Sequence, residues 1–305
     1  GGYLGNSLFI LMTGYFSVRK EISAKRLVML MMTMVFYSVT IAIIWKIQGR
    51  LPPGEMKRAL FPFWYGYNWF VACYLLFMPL TQFLNKLLLQ LDKVQYLALV
   101  AMEYFLYCVM PTFHGESFFQ APMLQFVMMY CMGGYLQLHK FKQEKFQKTR
   151  TWILIAFALV VVTDIVLIWQ WLKGDDIWRY VNLLSTWTAV SMFMAAVSFK
   201  PFTSVNINKL AGSVLGVYLI HDNPLVRPFL WRELLPNVEF MDEKFFVLFM
   251  IAKVLCVYIV CLGIDLTRRK WIEPIFKRWM NYHWNHWCLR CRKLQAWVGA
   301  RLENL

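Results

Sequence analysis

The chain has 305 residues, of which 59% are hydrophobic, 18% aromatic and only 16% charged, and its mean hydropathy is +0.47. A soluble domain carries about 45–50% apolar and about 25% charged residues, so a single soluble globular domain is excluded. The net charge of +15 comes largely from basic residues at the ends of apolar runs, which is the pattern of membrane topology and not of nucleic-acid binding.

Taken in chain order, the apolar runs begin with Gly5–Val18, which is short. Leu27–Trp45, Phe63–Leu84, Gln95–Phe113, Pro122–Leu138, Trp152–Leu172 and Ile177–Phe199 follow. The shorter Leu210–Ile220 comes next, and Phe245–Asp265 closes the series. A helical span needs about 17–25 apolar residues. Backbone groups in lipid must bond within their own segment, so the runs predict helices. Barrel strands would be shorter, with dyad alternation. The expected fold is an all-α, polytopic integral membrane bundle with nine spans over residues 1–267, followed by a basic tail over residues 268–305.

Charge orients the chain. If the odd spans end in the cytoplasm, the inner loops hold Arg19, Lys20, Lys25 and Arg26, then Lys86 and Lys93, then Lys140, Lys142, Lys145, Lys148 and Arg150, then Lys200 and Lys209. The tail adds nine more, from Arg268 to Arg301, so most of the 32 lysines and arginines are inside. The C-terminus is then cytoplasmic and Gly1 is outside. An odd span count with an outer start implies one further helix upstream. Cys73, Cys108, Cys131, Cys256 and Cys261 lie in spans, and none of the seven cysteines lies in an outer loop, so no structural disulfide is expected.

The tail allows two readings. His283, His286, Cys288 and Cys291 are zinc-ligand types, but on one helix they would spread over about 200°. Trp271, Trp279, Trp284, Trp287 and Trp297 among basic residues suit a helix lying in the inner headgroup region. The interfacial helix is the expectation, with no metal.

Away from the span edges, three charged residues lie inside spans: Glu103, Asp164 and Lys253. Such groups usually face a bundle interior or a wet cavity. Lys253 with one of the two acids would make a buried pair, serving either helix register or substrate lining.

Other polar features sit at span ends. FPFWYGY, residues 61–67, precedes Asn68-Trp69; its rings suit either an interfacial belt or a sugar platform. Gly133-Gly134 permits close helix approach. VRKEISAKR, residues 18–26, puts four cations beyond a span, where they hold the chain at the membrane or neutralise phosphates of a donor such as coenzyme A. GVYLIHDNPLVRP, residues 216–228, ends an apolar run in His221-Asp222-Asn223, and Pro224 and Pro228 discourage simple continuation of the helix.

Three of these stretches carry a resemblance. SLFILMTGYFSVRKEISAKRL (7–27), NWFVACYLLFMPLTQFLNKL (68–87) and LAGSVLGVYLIHDNPLVRPFLW (210–231) resemble, in order and spacing, segments of membrane acyltransferase family 3, in the branch that modifies surface polysaccharides. The last is the most specific. The resemblance implies about ten helices, with acetyl-CoA as cytoplasmic donor and a glycan hydroxyl as acceptor at the other face. It implies a plasma-membrane location and work beside polysaccharide synthesis machinery. Arg19, Lys20, Lys25 and Arg26 match the donor-side cluster. Asn68, Trp69, Ser213, Tyr218, Asp222 and Asn223 fall in the implied acceptor cavity, and His221 takes a supporting catalytic role. The family's first helix, with an arginine and a principal histidine, has no counterpart in these residues. No acid follows Trp69, where other branches place one. A transporter or flippase for glycan or lipid-linked sugar, or a non-catalytic partner of a polysaccharide synthase, is the alternative.

Overall fold

The computed structural model describes residues 2–114, 122–139, 149–174, 181–236 and 245–302. The helices are α1 (Gly2–Ser17), α2 (Ala24–Ile47), α3 (Glu55–Leu60), α4 (Trp69–Gln90), α5 (Lys93–Tyr104), α6 (Met110–His114) and α7 (Pro122–Leu138). They continue with α8 (Thr149–Lys173), α9 (Val181–Ser198), α10 (Val205–Ala211), α11 (Val214–His221), α12 (Val226–Pro228), α13 (Phe246–Trp271) and α14 (Glu273–Leu302). There is no strand among the described residues. Among the described residues, five helical stretches are long and apolar enough to cross a membrane: Ala24–Ile47, Trp69–Gln90, Lys93–Phe113, Thr149–Gln170 and Phe246–Trp271. The protein is an all-α, multi-pass membrane protein. Lys140, Lys142, Lys145 and Lys148 lie outside the described residues.

Two predicted spans differ from the structure. The run from Phe63 enters its helix only at Trp69, because Pro62 and Gly66 shape a series of turns: Gly66 has φ +58°, and Tyr67 N donates to Pro62 O at 2.9 Å. The run Leu210–Ile220 is broken at Gly212-Ser213 into α10 and α11. α11 has eight residues, so it is about 12 Å long and spans no bilayer.

The chain divides into two compact units, residues 1–22 with 76–202 and residues 23–75 with 203–305, and the boundary falls within α4. In the first unit α1 packs closely on α7. A methyl at Gly14 would overlap the Tyr130 carbonyl, and one at Gly133 would overlap the Leu11 carbonyl, so the two glycines let the backbones meet. Polar bonds fix the register. Gln125 Nε2 donates to Ser7 Oγ at 2.9 Å, Tyr130 OH to Asn85 Oδ1 at 2.8 Å, and Asn85 Nδ2 to Ser17 O at 3.1 Å. α5 continues through a π-helical turn, Phe105–Val109, into α6. α8 packs on α9 and otherwise presents apolar side chains outward.

That geometry corrects one expectation. Asp164 is exposed on α8 and is no buried ionisable group, because a helix hydrophobic all round does not dictate which face packs. Glu103 is half-buried, with Oε2 lacking a hydrogen-bond partner beside the Cys131 thiol.

In the second unit α2 packs with α3, α11 and α14, and α13 packs with α11 and α14. Ile41, Ala42, Ala59, Tyr67 and Leu225 form a small buried cluster. Lys253 Nζ donates to the Pro236 carbonyl at 2.9 Å. α14 is one continuous helix through His283, His286, Cys288 and Cys291, which therefore point to different sides. Among the described residues no group of three or more His, Cys, Asp or Glu is placed to hold a metal ion. Met280 is its buried anchor, while Ile275, Trp279, Tyr282, Leu289 and Trp297 repeat on an exposed stripe.

Candidate active site

Helix α11 organises the second unit. Its two ends carry different chemistry, about 12 Å apart.

At the Ser213 end lies a cavity of about 580 Å³. Lys25, Arg26 and Thr33 of α2 face it, as do Gly216 of α11, Arg268 of α13, and Lys277 and Asn281 of α14. Lys25 Nζ donates to Asn281 Oδ1, which ties the start of α2 to α14. Glu273, in the first turn of α14 where a helix dipole favours an acid, meets three cations. Its oxygens lie 2.7 Å from Lys277 Nζ, 3.5 Å from Arg269 Nε and 3.5 Å from Arg268 Nη2. Arg268, Lys25, Arg26 and Lys277 outnumber Asp265 and Glu273, so the cavity favours an anion.

Behind the cavity wall is a buried network. Asp265, with 0% exposure, accepts at Oδ1 from Tyr37 OH at 2.6 Å and from Arg268 Nε at 2.8 Å. The Arg268 guanidinium lies over the Tyr37 ring, 5.7 Å from its centroid. A methyl at Gly216 would overlap the Asp265 carboxylate, so this glycine lets α11 seat against α13. Neighbouring Arg269 clamps the break between α10 and α11, with Nη1 donating to Lys209 O at 2.8 Å and Ser213 Oγ at 3.1 Å.

At the other end, His221 Nδ1 sits 2.7 Å from Val217 O. A carbonyl only accepts, so Nδ1 carries the hydrogen and Nε2 of the neutral ring is left as an acceptor. The Tyr218 ring meets His221 at 6.3 Å and Phe70 at 6.0 Å, both edge-on. Buried polar atoms without partners gather in these same segments. They are Asn223 Nδ2 and both amide atoms of Asn68, while Tyr67 OH and Tyr218 OH lie buried beside the Glu55 and Asp222 carboxylates. Asn223 Oδ1 accepts from Leu225 N at 3.0 Å, and Asp222 meets Arg227 Nη1 at 3.4 Å. Burial, then the Glu55 carboxylate, push the Tyr67 phenol well above its ordinary range, so it stays a neutral donor. Buried polar groups without partners are costly, and a hydroxyl-rich ligand or ordered water would satisfy them.

The sequence-predicted residues therefore divide. Lys25 and Arg26 line the cavity, whereas Arg19 and Lys20 are exposed residues of the first unit. Asn68, Tyr218, His221, Asp222 and Asn223 belong to the second unit, with Trp69 39% exposed beside Phe70. Ser213 lies at the opposite end of α11 from His221, beside Arg269. Sequence reasoning missed Tyr37, Asp265, Arg268, Glu273 and Lys277. The i,i+3 spacing of Asp265 and Arg268 and the i,i+4 spacing of Glu273 and Lys277 were the available signals.

The second unit thus carries, on one short helix, an anion-favouring cavity at one end and a histidine at the other. The acyltransferase domain family matches residues 2–266, and the chain belongs to that family, membrane acyltransferase family 3. No curated protein and no solved structure matches the chain.

Proposed function

We propose that this membrane acyltransferase moves an acyl group, acetyl first, from acyl-CoA to a hydroxyl of a surface or exported polysaccharide. The observation that carries the reading is α11 itself, with a cation-rich cavity at one end and His221 among unpartnered buried polar groups at the other. Gly216 lines the cavity and His221 follows five residues later, about 7.5 Å along the axis. A flexible pantetheine arm covers that distance.

In this reading Lys25, Arg26 and Lys277 hold the phosphates of the donor. The acceptor hydroxyl enters at the other end, where Asn68, Tyr218 and Asn223 meet its polar groups. His221 Nε2 accepts a hydrogen bond from the hydroxyl and orients it for attack. The hydroxyl oxygen bonds to the thioester carbon, the oxyanion collapses, the C–S bond breaks, and the hydroxyl proton ends on the departing sulfur, so that CoA leaves as the thiol. Positive residues on the donor side support a cytoplasmic C-terminus, and the plasma membrane near polysaccharide synthesis machinery is the setting this reading implies.

Deletion of the gene tests this. Loss of acetyl esters from an otherwise normal surface polysaccharide, restored by the wild-type gene, supports it. Unchanged esters on a glycan that fails to reach the surface contradict it and favour a transporter or flippase.

A further inference from the structure

We propose that Arg268 is the residue that reads a phosphate group of the acyl donor, and that Asp265 and Tyr37 are positioning residues that hold it. The inference rests on the acyl-CoA reading above.

Consider where the guanidinium hydrogens go. Nε is bonded to Asp265 Oδ1, and Nη2 has Glu273 Oε2 at 3.5 Å. Nη1 is buried and has no hydrogen-bond partner, on a side chain only 8% exposed. An arginine cannot shed its proton to relieve this, so the unmet N–H calls for an acceptor. Arg268 lines the cavity, and the cavity can supply one.

The adjacent arginine shows the difference. Arg269 donates to Lys209 O and Ser213 Oγ, both in the protein, and so fastens two helices. Arg268 is held by Asp265, borders the cavity and keeps one N–H of its fork unmet. Its fork is held by Asp265, Asp265 by Tyr37, and the close seat of Asp265 against α11 by the missing side chain of Gly216. Such a fixed planar fork matches phosphate geometry better than a mobile ammonium does. Lys25, Arg26 and Lys277 around the same cavity favour an anion with several charges. A nucleotide phosphate of the donor meets that description, and so does a phospholipid headgroup.

The experiment uses the native protein in nanodiscs of zwitterionic lipid. Initial rates are measured with acetyl-CoA and with S-acetylpantetheine, which lacks the phosphates and the nucleoside. For Arg268→Gln the expected result is a KM for acetyl-CoA raised roughly ten- to a hundredfold, with kcat little changed and the S-acetylpantetheine reaction unaffected. Arg268→Lys falls between, because an ammonium keeps the charge but loses the fork. Tyr37→Phe shows a smaller KM rise of the same kind. Asp265→Asn with Arg268→Gln keeps shape without charge, and its thermal unfolding guards against a folding defect.

Equal losses with both donors would reduce Arg268 to a structural role and overturn the inference. So would an unchanged KM for acetyl-CoA. Competitive inhibition of the wild type by phosphatidylglycerol, absent in Arg268→Gln, would assign the site to a lipid headgroup instead. Failure of the wild type to use either donor would remove the acyl-CoA reading as well. Normal wild-type turnover with an unaffected variant removes the phosphate role alone.

Discussion

Gly216 of α11 lies so close to Asp265 of α13 that a single methyl would overlap the carboxylate. The relationship gives a physical reason for the glycine in GVYLIH. Asp265 cannot simply turn away, because Tyr37 and Arg268 both bond its Oδ1.

Gly216→Ala is therefore expected to destabilise the protein by about 1–3 kcal/mol through overpacking. Thermal unfolding of the purified variant measures it. Gly263→Ala on α13 is the control, since nothing lies within 4 Å of a methyl there. Equal melting temperatures for the two would contradict the packing argument.

The glycines of the α1–α7 crossing make the same prediction more strongly. A methyl at Gly133 meets backbone, which cannot rotate away as a side chain does. Gly133→Ala is expected to lower expression and melting temperature, and Gly133→Leu to prevent folding. Fluorescence-detected size exclusion reads both outcomes.

Asp164 leads to a gain of stability. An exposed carboxylate on a strongly apolar helix costs about 2.5–3.5 kcal/mol near a bilayer centre. Asp164→Leu should insert at least as well as the wild type and unfold no earlier. A melting temperature lowered by several degrees would mean that the carboxylate has a stabilising partner.

The outward stripe of α14 is proposed to lie in the lipid interface. Trp279 and Trp297 are 43% and 57% exposed on the same face as Tyr282. Lipids brominated near the headgroup should quench tryptophan fluorescence, and Trp279→Phe with Trp297→Phe should remove much of that quenching. Unchanged quenching in the double variant would contradict the placement.

Much of the fold was legible because lipid forces hydrophobic runs into helices. Pro122–Leu138 is found with the bounds read from the sequence, and α2 and α13 extend the predicted runs by a few residues. The runs failed where local chemistry overrode hydropathy: at Pro62 and Gly66 before α4, and at Gly212-Ser213, where Arg269 clamps the break. Of the candidate residues read from the sequence, Lys25 and Arg26 line the cavity and His221 ends the short helix that borders it. The site was illegible at Tyr37 and Asp265, which lie 228 residues apart and meet only through packing. Asp164 looked buried because sequence shows depth along a helix but not the face that packs.

The most direct test is transfer of radioactive acetyl from acetyl-CoA to glycan by the purified native protein, beside His221→Ala. Labelled glycan is expected with the wild type. The variant should bind CoA normally but lose about 10²-fold or more in rate, in line with the loss of an orienting group at the reacting hydroxyl. Equal label from both proteins, or none from the wild type while CoA is bound, would contradict it.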